Sequence, residues 1–139
     1  MKYCRINLSK TNYKMEPFGN LYPYNLRNPE FLQGIYKKYC EYKQFESVMP
    51  IFNSEFSDPN NDVFVYTDEW ICAFSLVRRY DSDNVEAIQF AWDYEDPSLQ
   101  LGIKSLEYEC AYYKSKGYKY LYLGTVSEYK KKFDGYEEI

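Results

Sequence analysis

The chain has 139 residues, of which 45% are hydrophobic and 27% charged, and a formal net charge of −4. One domain of this length buries about two-thirds of its unfolded surface, so the composition fits a globular core and excludes a disordered tail. It contains no histidine, which excludes Ser-His and Cys-His nucleophile pairs and every His-ligated zinc site.

Residues 2–8 alternate, with Cys4, Ile6 and Leu8 facing one way and Tyr3, Arg5 and Asn7 the other, which predicts a half-buried strand. Residues 9–27 have no period and hold Pro17, Gly19 and Pro23 among four aromatics, which suggests an ordered wrap over the core. Asn28-Pro29-Glu30 is a helix start, and Leu32, Ile35, Tyr36, Tyr39 and Cys40 carry the apolar stripe to about Tyr42. A second short helix is expected over 47–55, ahead of the turn cluster Asp58–Asp62. Val63–Thr67 and Trp70–Arg79 form a tight hairpin, and Val85–Asp93 adds a third strand. In that strand Ile88, Phe90 and Trp92 take one face, and Ala87, Gln89 and Ala91 the other.

After Pro97, Leu99, Ile103, Leu106, Cys110 and Tyr113 recur at helical spacing, and Gly117 is the C-cap. On this helix Glu107 and Glu109 are taken as surface charges. Tyr118–Leu123 is a strand, Ser127–Phe133 a short basic helix, and Tyr136–Ile139 a last edge strand. The order β-α-α-β-β-β-α-β-α-(β) is a mixed α/β sheet with helices on both faces, in a single domain over residues 1–139.

Cys4, Cys40, Cys72 and Cys110 lie more than thirty residues apart without a CxxC, so no metal or redox pair is expected, and Cys4, Cys72 and Cys110 serve as small core residues. No apolar run approaches the ~20 residues of a membrane span, and the N-terminus lacks a signal-peptide core. A cytoplasmic protein without membrane contact is the expectation. The 18 tyrosines fit amphipathic packing better than nucleic-acid stacking, which the net negative charge opposes.

The order of elements resembles the GNAT acyltransferase superfamily, most sharply from Phe90 to Gly124, where Asp96–Glu107 leads into Lys116–Gly124. In that family a glycine-bearing loop opens the main helix, and its amides hold the coenzyme A pyrophosphate. The matching positions are Leu99, Gln100, Leu101, Gly102, Ile103, Lys104 and Ser105. Unpaired amides and the helix dipole favour an anion there, and glycine admits close approach. The resemblance implies acetyl-CoA or another acyl-CoA as co-substrate, with a backbone amide of Val85–Asp93 polarising the carbonyl.

Asp93, Glu95 and Asp96 form an acidic cluster at the end of that strand, from which Asp93 or Glu95 would deprotonate an amine. Tyr129 stands where the family often places a tyrosine acid, and Lys130, Lys131 and Lys132 are candidates for a phosphate. The last ~55 residues are also similar to the C-terminal half of arginyl-tRNA–protein transferases, which implies an aminoacyl-tRNA donor. Relative to the family pattern the loop keeps only Gly102, with Leu99 in the basic or amide slot and Lys104 in place of the final glycine.

Two readings follow. One is an N-acyltransferase acting on a small-molecule or peptide amine, from acyl-CoA or, in the alternative, from aminoacyl-tRNA. The other is a non-catalytic assembly module with the same fold. The short C-terminus leaves Tyr118–Leu123 as an edge, which predicts a homodimer.

Overall fold

A computed structural model describes residues 2–17, 19–23, 27–44, 50–68, 70–92 and 101–139. Seven strands, β1 (Tyr3–Asn7), β2 (Gly19–Leu21), β3 (Asn61–Asp68), β4 (Trp70–Arg79), β5 (Asn84–Trp92), β6 (Tyr120–Thr125) and β7 (Tyr136–Glu138), join in one sheet of order β2-β3-β4-β5-β6-β1-β7. Among the described pairs all are antiparallel except β5 with β6.

Helices α1 (Pro29–Tyr42) and α2 (Asn53–Phe56) cover one face, and α3 (Leu101–Ser115) covers the other. On the first face Leu32, Ile35 and Phe56 meet Val63, Val65, Phe74 and Leu76. On the second, Leu106, Cys110 and Tyr113 meet Cys4, Ile6, Phe64 and Leu121. Alternation along β3 divides these sets, because successive side chains leave a strand on opposite faces.

Local chemistry accounts for the helix ends. The Asn28 side chain accepts from the Phe31 amide at 3.2 Å and Pro29 opens α1. Past α3 the Tyr118 amide donates to the Tyr113 carbonyl at 3.0 Å and the Gly117 amide to Lys114 at 3.1 Å, a Schellman closure. That closure holds Tyr118, so β6 begins at Tyr120 and not at Tyr118. Within the expected 9–27 wrap, β2 runs along β3. A Cβ at Gly19 would lie 2.9 Å from the rings of Tyr66 and Tyr108, so only glycine lets this strand approach.

Several expectations need correction. Of the second helix expected over 47–55, residues 50–52 are not helical, in keeping with Pro50, and a single turn forms at Asn53–Phe56, while 47–49 lie outside the described residues. The basic tail makes only a 3-10 turn at Lys130–Lys132, followed by the expected edge strand β7. β6 is not an edge: β1 pairs along its far side, so the edge invoked for a homodimer is already occupied. The tyrosines pack: Tyr66 and Tyr113 are fully buried, and Phe64 meets Tyr112 and Tyr113 edge-on with centroids 5.1 and 5.7 Å apart. All four cysteines are buried thiols.

Candidate active site in the fork between β5 and β6

The parallel ladder joining β5 to β6 covers only Asn84–Glu86 against Tyr120–Tyr122. Beyond it the strands part. Ile88 is an extra residue in β5, between the pairs Leu76↔Gln89 and Val77↔Ala87. Leu123 is likewise extra in β6, between Cys4↔Gly124 and Arg5↔Tyr122. Each bulge bends and twists its strand, and together they open the sheet. Gly124, at φ 78°, takes the left-handed conformation that the turn of β6 away from β5 requires. The bulge also overturns the expected faces of β5, because Ala87 and Phe90 now pack into the same α3-side core.

The fork holds a cleft of about 620 Å³. One wall is α3, where Gly102, Ser105, Leu106 and Glu109 follow at i, i+3, i+4 and i+7. Phe90 and Trp92 of β5, Leu123 and Thr125 of β6, and Tyr129 and Lys130 of the tail complete it, with Tyr39 reaching in from α1.

Glu109 lies in this cleft at only 2% exposure, so it is not the surface charge its sequence neighbours suggest. The Tyr66 hydroxyl donates to Glu109 Oε2 and also lies 3.2 Å from the Ser105 carbonyl oxygen. Burial pushes the Glu109 carboxyl from 4.5 up to about 7, against the opposing hydrogen bonds of Tyr66 and Ser75. Burial, and then the charge of Glu109, push the Tyr66 phenol well above its usual value. A signal for Glu109 was present in the sequence: it stands three residues after Leu106 and four before Tyr113, on the apolar stripe.

Of the residues expected to act, Gly102, Ile103, Ser105 and Tyr129 line the cleft. Ser105 is buried, its hydroxyl donating to the Gly102 carbonyl at 3.2 Å, whereas Gly102, Ile103 and Lys104 are exposed. Lys104 does not line the cleft among the described side chains. Leu101 opens the described part of α3; Asp93, Glu95, Asp96, Leu99 and Gln100 lie outside the described residues. Among the described residues, a Cβ built on Gly102 meets nothing nearer than Phe90 at 3.9 Å, so their packing does not impose glycine there.

Tyr129 is half exposed at the cleft, and its phenol is pushed up chiefly by burial. Lys130 is not a free phosphate ligand. Its ammonium donates to the carbonyls of Leu123 and Thr125 at 2.9 and 2.7 Å, bracing β6 where β5 has left it. Lys131 pairs with Glu128 at 3.2 Å. Among the described residues no helix is long and apolar enough to cross a membrane.

No protein-family model matches the sequence, and no curated protein matches it. Solved structures do. Yeast (Saccharomyces cerevisiae) N-myristoyltransferase with bound myristoyl-CoA matches 99% of this chain and 46% of its own at TM-score 0.64 and 10% identity. The C-terminal domain of an Agrobacterium fabrum protein assigned as a lysylphosphatidylglycerol synthetase matches 90% of this chain and 46% of its own, at TM-score 0.64 and 10% identity. An aminoglycoside acetyltransferase from an uncultured soil metagenomic sample matches 85% of this chain and 84% of its own, at TM-score 0.59 and 12% identity. The chain thus spans about half the length of the first two. The chain shares the GNAT-like fold of these structures.

Proposed function

We propose that the chain is an N-acyltransferase that moves an acyl group from acyl-CoA, with acetyl-CoA the first candidate, to an amine on a small molecule or peptide. The observation that carries this reading is the fork, a cleft bounded by the stretch of β5 past its described pairing with β6 and by the first described turns of α3. The edge of β5 beyond Glu86 offers backbone amides to a thioester carbonyl, where developing negative charge needs donors. The segment Gln100, Leu101, Gly102, Ile103, Lys104 and Ser105 would meet the pyrophosphate, with Gly102 leaving room for it. Tyr129 would supply the proton for the departing thiolate, and Asp93 and Glu95, which follow β5 in the sequence and lie outside the described residues, are further carboxylate candidates. The yeast neighbour holds myristoyl-CoA, which is compatible with an acyl-CoA donor here.

Thermal denaturation with acetyl-, malonyl- and longer acyl-CoA tests the reading. Specific binding at 100 times the dissociation constant adds about 2.7 kcal/mol, several degrees for a chain of this size. No shift with any of them removes the acyl-CoA donor. A gel shift with aminoacyl-tRNA at physiological salt then separates a tRNA-dependent transferase from a non-catalytic module.

A further inference from the structure

The described part of the fork contains one carboxylate, Glu109, and its surroundings are unusual for a purely structural acid. A buried carboxylate is costly without a counter-charge, and no lysine or arginine contributes to its environment among the described residues. The lysine of the same cleft, Lys130, directs its ammonium at two backbone carbonyls instead. Tyr66 from β3 and Ser75 from β4 hold the acid with hydroxyl groups, Ser75 from within the cleft lining. Glu109 therefore sits two helical turns, roughly 10 Å, beyond Gly102 on the same face of α3, deeper in the fork.

The geometry points to the inner fork as a site for a primary ammonium group, with the Glu109 carboxylate as its counter-ion and the acceptor of its proton. This rests on the acyl-transfer reading and names the acceptor's place and base within it. An amine reaches an enzyme at neutral pH as R–NH3+, which has no lone pair to attack with. Glu109 takes one proton. The freed nitrogen then attacks the thioester carbonyl carbon, forming C–N as C–S breaks, and the remaining surplus proton passes by way of the Tyr129 hydroxyl to the thiolate sulfur. A carboxyl raised by burial toward neutral pH is a competent base for this step, whereas an ordinary surface glutamate is too weak.

The groups that face Glu109 stay out of its titration. Tyr66 on β3 and Tyr108, Cys110 and Tyr113 on α3 all have raised values and remain neutral to well above pH 8, while the ammonium of Lys130 is held by carbonyls across the cleft.

The test is thermal denaturation of the full chain with n-butylammonium chloride, against tetramethylammonium chloride at equal ionic strength, at pH 5.5 and pH 8. Tetramethylammonium carries the charge but has no N–H to give. The expected result is stabilisation of the wild type by butylammonium at pH 8, reduced at pH 5.5, with affinity about tenfold or more weaker in Glu109→Gln. Tyr66→Phe, which removes a donor that favours the carboxylate, should shift the response to higher pH. Equal responses to the two cations, or the same butylammonium affinity in wild type and Glu109→Gln, would overturn the site. An acetyl-CoA shift without a butylammonium response leaves acyl transfer standing and refutes this inference. A Glu109-dependent butylammonium response without any acyl-CoA shift supports the ammonium site and removes the donor.

Discussion

Glu109→Gln should change the pH dependence of stability in a way no surface carboxylate would. The folded-state carboxyl titrates at about 7 against 4.5 for a free side chain, with burial as the main cause. The native state therefore holds this proton where the unfolded chain has lost it. Its stabilising contribution is complete below pH 4.5 and is lost as pH climbs through about 7. That separation is worth roughly 3 kcal/mol, and because Glu109 is almost fully buried, solvent screens little of it. Glutamine keeps the shape and an oxygen for the Tyr66 hydroxyl but cannot ionise. Relative to the wild type, the variant should gain roughly 2.5 kcal/mol between pH 5 and pH 8. Urea unfolding of both proteins at pH 5, 6, 7 and 8 at constant ionic strength reads this directly, since other titrating groups cancel in the difference. A difference that stays flat across these pH values would refute the buried-acid argument.

Other outcomes follow from the same geometry. Gly102→Val should abolish acyl-CoA binding in a calorimetric titration while moving the urea midpoint little, since the nearest described atom to its Cβ lies 3.9 Å away; unchanged acyl-CoA affinity would remove the cradle from the site. Lys104→Ala should weaken acyl-CoA modestly, with the loss shrinking at high salt, because an exposed ammonium acts on a phosphate through screened charge. Gly19→Ala should cost about 1–3 kcal/mol in urea, because a Cβ there enters the rings of Tyr66 and Tyr108 at 2.9 Å. Tyr129→Phe should lower kcat about a hundredfold or more once an acceptor is in hand, with acyl-CoA affinity unchanged; an unaltered kcat would strip it of the acid role.

The sequence by itself determined what depends on near neighbours along the chain. The strand alternation at Cys4, Ile6 and Leu8, the Asn28-Pro29 start of α1, the hairpin of β3 and β4, and the stripe and Gly117 end of α3 all rest on spacings of a few residues. Those spacings carry the order of elements, and with it the GNAT-like fold. Part of the candidate site is legible in the sequence too, since Gly102, Ile103, Ser105 and Tyr129 line one cleft. Tertiary structure decided the rest. That β1 returns to pair with β6 depends on contacts between residues more than a hundred apart, for which no local pattern exists. The bulges at Ile88 and Leu123 are mismatches between ladders, so no residue type announces them, yet they open the fork. Glu109 becomes a buried acid only because α3 lays it against Tyr66 and Ser75 from two other strands. A helix pattern tells which residues share a face, but what that face meets is fixed by the packing of the whole chain.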